Sequence, residues 1–188
     1  SLSGREVALL LIAMGWQADA LRGCQRVDLV WSGPELPGQT FRSTEQRVVE
    51  LIDGATRAIW IVAFAAYRVA SLVAALERAL MRRVRLNFVV ESANESLGRV
   101  TFDPMTAFGP RIGRAANVYV WPLERRPRDN QVRHGTLHAK CVIVDGHTAL
   151  VTSANFTEAA HARNIEAGAV VHDPGFAGSL ERQFTSLV

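Results

Sequence analysis

Apolar and polar positions along the chain change rhythm several times, and each change marks an element. Residues 3–22 crowd apolar side chains together, in Val7–Met14 above all, and open on Ser3 and Glu6. A Ser and a Glu three apart can cap each other across the first turn of a helix, so this segment reads as one or two short helices. Val27–Trp31 is a short strand, stopped by Ser32-Gly33-Pro34. Ser43 and Gln46 repeat the capping box and open a helix over 44–54, with Val48, Leu51 and Ile52 as its apolar stripe. Ala58–Ala66 is then a continuous apolar run, the pattern of a central strand covered on both faces. Val69–Met81 returns to helical spacing through Leu72, Val73, Leu76 and Leu80. Val84–Val90 and Ala115–Trp121 read as further strands. Between them, residues 91–114 hold Gly98, Pro104, Gly109, Pro110 and Gly113 and read as one long irregular connection.

This β-α-β-α-β order predicts an α/β domain: a mixed, largely buried β-sheet flanked by helices on both faces, with a short helical N-terminal lead. The expected division is a lead over residues 1–23 and one domain over 24–188. Hydrophobic residues make up 48% of the 188 and charged residues 21%, which excludes a fibre, a stalk or a polar linker. No apolar run approaches the roughly 18 residues of a membrane span. Glu6 sits where a secretory leader wants only positive charge, so the first segment reads as a helix and the compartment as cytoplasmic. Cys24 and Cys141 make neither a disulfide framework nor a zinc site by spacing. Cys141, inside an apolar run, reads as a buried inert thiol.

Charge sharpens the picture through its distribution. The net charge is only +3, yet residues 111–140 hold seven basic side chains against Glu124 and Asp129. Four of them, Arg125, Arg126, Arg128 and Arg133, fall in the connection just before His138, where they are expected to line the mouth of a site for a polyanion such as DNA or RNA. Of the 21 basic residues 20 are arginine, and Lys140 is the one lysine. A lone lysine in such a background marks a place that needs a compact ammonium, where a planar fork does not fit.

His138–Val144 reads as a strand, Asp145-Gly146 as a turn and Thr148–Ser153 as the returning strand. A connection of two or four residues places His138, Lys140, Ser153 and Asn155 on one face, whereas three residues with a bulge break the pattern. That face offers an imidazole to attack phosphorus, with an ammonium, a hydroxyl and a carboxamide to hold phosphate oxygens. His134 and His138 are four apart, but Gly135 and the strand after it argue against a helical zinc pair. No metal and no cofactor are expected. His147 and His161 read as solvated surface, and His172 precedes a helix start at Asp173-Pro174.

The string His138-x-Lys140-x4-Asp145-x6-Thr152-Ser153-x-Asn155 resembles the HxKxxxxDxxxxxxGSxN motif of the phospholipase D superfamily, with Thr152 in place of the usual Gly. Asn164-x-Glu166, ahead of Gly168–Val171, resembles the downstream segment whose acid orients the catalytic histidine. The resemblance implies a metal-independent phosphodiesterase that works through a covalent phosphohistidine. Its catalytic set would be His138, Lys140, Asn155, Ser153, Glu166 and Asp145, although strand parity keeps Asp145 off the shared face and suits it to shaping the turn. Leu29–Glu35, Val120-Trp121-Pro122 and Leu137–Lys140 further resemble the phospholipase D-like component of DISARM, a bacterial phage-defence system. The family serves nucleases, lipid hydrolases and synthases alike, so the basic connection before His138 carries the reading as a nuclease on DNA or RNA, and the DISARM resemblance adds other defence components as further partners. One motif per chain supplies one imidazole, and the reaction needs two, so a homodimer is expected. Two other readings stay open: a nucleic-acid-binding module with lost or regulated catalysis, and a phospholipase or phosphatidyltransferase.

Overall fold

The computed structural model describes residues 2–24, 26–34, 43–63, 69–91, 104–130, 134–157 and 164–188. Seven strands among them form one sheet: β1 (Arg26–Ser32), β2 (Ala58–Ala63), β3 (Arg85–Val90), β4 (Asn117–Val120), β5 (Cys141–Val144), β6 (Thr148–Thr152) and β7 (Glu166–His172). Their spatial order is β1-β7-β6-β5-β2-β3-β4. β2, β3 and β4 run parallel, and the pairs from β2–β5 across to β7–β1 are antiparallel. The parallel half needs crossovers, and α3 (Ala70–Met81) lies between β2 and β3 for that reason.

Side chains alternate across the strands, and two separate cores result. Val30, Ile59, Ile61, Phe88, Val142, Leu150 and Val170 face α3 and α2 (Thr44–Gly54). Trp60, Val62, Val89, Cys141, Ile143 and Ala149 face the last helix, α5 (Pro174–Leu187), through Ala177 and Phe184. Both expected caps are present: the Ser43/Gln46 box opens α2, and the Asp173 side chain accepts from the Phe176 N–H at the start of α5. The first helix, α1 (Gly4–Cys24), is continuous, and Ser3 and Glu6 cap it reciprocally.

Two expectations change. Residues 104–115 are helical rather than irregular, with a 3-10 turn at Pro104–Phe108 running into α4 (Gly109–Ala115). Buried Ile112 holds that segment to the core, as does Phe108, whose ring lies 4.8 Å from Phe88. The hairpin does not use a two- or four-residue connection. Asp145 and Gly146 both take positive φ (56° and 67°), and the His147 N–H donates to the Val144 carbonyl, but Val144 pairs with Thr148. His147 is therefore the extra residue of a bulge, and Lys140 falls opposite Thr152 instead of on the parity of Ser153. His161 and the strand end at 64–66 lie outside the described residues.

The second face of the sheet is covered over β5 and β6 by α5, but its β1 side is open. Val27 and Leu29 on β1 are 58% and 55% exposed, and Val151, two strands away opposite Ala169, lies on the same face. No helix among the described residues is long and apolar enough to cross a membrane.

Asp145 fixes the hairpin to the rest of the sheet. Its carboxylate accepts from the Thr56 N–H and hydroxyl, the Arg57 N–H and the Ala58 N–H at 2.8–2.9 Å, and its own N–H donates to the Ala58 carbonyl. Burial works to raise its pKa, but these hydrogen bonds together outweigh that and hold it below the usual carboxylate value. Asp145→Ala should cost about 2–4 kcal/mol, through lost charge-assisted bonds and a side chain ill-suited to positive φ. Asp145→Asn, which tolerates that φ, should cost less; urea denaturation would rank the two. Because the folded pKa is depressed, this contribution is present above the unfolded pKa and is lost as pH falls through the folded one.

Candidate active site

The chemistry-bearing residues gather beyond the strand ends rather than on a sheet face. Lys140 immediately precedes β5, Ser153 follows β6 and Glu166 opens β7. β5 is antiparallel to β2, so its start lies beside the carboxyl end of β2, and β3 and β4 end on that same side. Crevices at the carboxyl ends of parallel strands are where α/β sheets build sites.

Lys140 is only 5% exposed, and its ammonium lies 3.1 Å from both ring nitrogens of the exposed His138 and donates to the His138 carbonyl at 2.8 Å. Burial lowers the Lys140 pKa, while the Glu166 carboxylate works against that shift. The Ser153 hydroxyl donates to Glu166 Oε2 at 2.5 Å, and Asn164 Nδ2 donates to Oε1 at 3.0 Å. A backbone bond from the Thr152 N–H to the Lys140 carbonyl ties the two groups together. Asn155 adds a buried amide oxygen with no hydrogen-bond partner among the described residues.

Not every predicted residue joins them. Asp145 stands at the opposite end of β5 from Lys140, with its carboxylate occupied by the start of β2, so it is removed from the reacting set. Arg126 does not line the mouth. It is 4% exposed, donates to the Trp121 carbonyl at 2.7 and 3.0 Å, and lies over the Trp121 ring. Its Nη1 pairs with Glu91 Oε1 at 2.8 Å, and Glu91 Oε2 accepts from the Leu137 N–H at 2.8 Å. Arg125 and Arg128 are exposed. Arg133 lies outside the described residues. Cys141 is buried, and burial pushes its thiol up to about 11, in keeping with an inert side chain.

Glu91 escaped the reading of the sequence altogether. The available signal was an acid set directly against the apolar run Leu86–Val90, a position that burial tolerates only with a partner. Gly168, named from the sequence only as part of the downstream segment, lies so close to β6 that a Cβ there would stand 2.8 Å from the Thr152 Cβ.

Fold and site together define an α/β domain of the phospholipase D kind. A family model described as cardiolipin synthase, PLD-like domain, matches residues 48–188, and the chain belongs to this phospholipase D-like family. Cardiolipin synthase A of Pseudomonas aeruginosa is 30% identical over 133 residues, 71% of this chain. The chain spans 25% of the length of that relative. Among solved structures, Nuc of Salmonella typhimurium, a phospholipase D family member, superposes with a TM-score of 0.64 at 24% identity, covering 87% of this chain and 93% of Nuc. NucT of Helicobacter pylori gives 0.63 at 16% identity, over 87% and 95% of the two chains. Phosphatidylserine synthase of Haemophilus influenzae gives 0.59 at 16% identity, over 87% of this chain and 39% of its own. The family acts on phosphodiesters, in line with the groups assembled here.

Arg126→Ala should destabilise the fold by about 3–5 kcal/mol, because it leaves the Glu91 carboxylate buried without its partner. Equilibrium denaturation would show it, and Arg125→Ala at the neighbouring exposed position should lie within about 0.5 kcal/mol of wild type.

Proposed function

We propose that this domain is a metal-independent phosphodiesterase that cuts nucleic acid through a covalent phosphohistidine on His138. The observation that carries the reading is the buried Lys140 ammonium 3.1 Å from the His138 ring, beside the Ser153–Glu166 pair. In the first step a His138 ring nitrogen attacks phosphorus, a P–N bond forms and the P–O bond to the leaving group breaks. The leaving oxygen takes a proton from a second imidazole. Water then attacks the phosphohistidine, loses a proton to that imidazole, and regenerates His138. Lys140, Ser153 and Asn155 hold the non-bridging oxygens as charge builds on them.

The second imidazole comes from the His138 of a second copy. The open side of the sheet supports this: exposed Val27, Leu29, Val151 and Ile165 form an apolar surface next to Ser153 and Glu166 that a homodimer would cover. Exposed Arg125 and Arg128 favour an extended polyanion. The resemblance to the DISARM component fits a cytoplasmic role in phage defence with partner proteins. A second reading, phosphatidyl transfer, draws on the name of the curated relative, cardiolipin synthase A.

Cleavage of DNA or RNA should persist in excess EDTA, and His138→Ala should lose several powers of ten in rate. Activity restored only by added magnesium, or cardiolipin formed from phosphatidylglycerol vesicles with nucleic acid left intact, would overturn the nuclease reading. Mixing wild-type with His138→Ala chains should give heterodimers with little activity, whereas a fully active monomer would contradict the shared site.

Lys140 supplies a further check. It must be charged to hold phosphate, and burial lowers its pKa, so activity should fall on the alkaline side at a pH below that of a free lysine. Lys140→Arg should remove that limb from the pH profile and leave low activity throughout. For binding, Arg125→Ala with Arg128→Ala should flatten the dependence of log Kd on log salt by about two units of slope.

A further inference from the structure

Thr152 stands where the phospholipase D motif has glycine, and the structure gives the exchange a physical form. Its side chain is buried at the last position of β6, paired with Gly168 on β7. The Thr152 hydroxyl accepts from the Ala154 N–H at 3.1 Å and donates to the Ala167 carbonyl at 3.3 Å. Ser153 sits between these two bonds. Its own N–H donates to the same Ala167 carbonyl, and its hydroxyl accepts from the Ala167 N–H at 3.2 Å while donating to Glu166.

Space for the threonine comes from across the sheet. A Cβ built on Gly168 would lie 2.8 Å from the Thr152 Cβ, 3.0 Å from its hydroxyl and 2.8 Å from the Val151 carbonyl oxygen. Two of these three clashes are with Thr152 itself. The small residue needed at this crossing of β6 and β7 is thus on β7 here.

We propose that Thr152 is a positioning residue for Ser153. Its hydroxyl clamps the chain as it leaves β6 and so fixes the aim of the Ser153 hydroxyl, and Gly168 provides the room for that clamp. The residue is a working part of the site rather than a lesion in the motif. This rests on the reading above that Ser153 binds phosphate oxygens.

The test compares Thr152→Ser, which keeps the hydroxyl, with Thr152→Val, which keeps the shape and loses it. Thr152→Val should lower kcat/KM for nucleic-acid cleavage about tenfold, mostly in kcat, and speed amide exchange at Ala154 about tenfold. Thr152→Ser should stay within about twofold of wild type in both. Equal losses in the two variants, or wild-type exchange at Ala154 in Thr152→Val, would overturn the clamp. The exchange measurement needs no turnover, so it decides the proposal even where the functional reading fails. For the room, Gly168→Ala should lower Tm more in wild type than in a Thr152→Gly background; equal shifts would overturn that part.

Discussion

Glu91 and Arg126 hold together the end of the sheet on which the site is built. Both side chains are almost fully removed from water, where an isolated charge of either sign is costly. Their pairing meets that cost and adds direction, because among the described residues they also bind the backbone on either side of the site's approach. Arg126 binds the Trp121 carbonyl at the end of β4, and Glu91 binds the Leu137 N–H just before His138. The described residues between Trp121 and Leu137 hold one 3-10 turn and an isolated bridge from Arg128 to His134, and these side-chain bonds add to them in fixing where His138 begins. A buried ion pair is weak evidence for stability on its own, and here its value is the placement of a chain.

The other end of β5 is held by a second carboxylate. Asp145 fastens the hairpin to Thr56–Ala58, so the strand that carries Lys140 is anchored at both ends by acids acting on backbone N–H groups. Between the anchors, Val142 and Val144 enter one core while Cys141 and Ile143 enter the other. A strand gripped on both faces and at both ends has little freedom left to shift, as the proposed chemistry at a single phosphorus atom would require.

Much of this fold was legible because the chain states its boundaries locally. Capping boxes at Ser3 and Ser43, the apolar run from Ala58 and the Asp173-Pro174 start each act within a few residues, and the structure places elements there. Register across the hairpin was not legible. Asp145-Gly146 specifies two positive-φ residues, but whether His147 pairs or bulges depends on how β6 meets β7, far along the chain. Arg126 misled for the same reason. Of Arg125, Arg126 and Arg128, the buried one is the one that pairs with Glu91, 35 residues earlier. The motif residues could be named from spacing, yet their meeting beyond the strand ends follows from the bulge and not from parity.

Lys140 shows why side-chain shape and not charge alone governs the site. Lys140 is almost fully buried, with its ammonium against the His138 ring and the His138 carbonyl. A guanidinium brings five donors in one plane, and each left unmatched in such a space costs free energy, whereas an ammonium brings three on a small head. Burial already weakens the charged form of Lys140, and the nearby Glu166 carboxylate counteracts that. A phosphate placed against the same ammonium would counteract it further. Under the proposed function, a bound phosphate would thus favour the charged lysine that burial disfavours, and one compact ammonium in an arginine-rich chain is what that reading asks for.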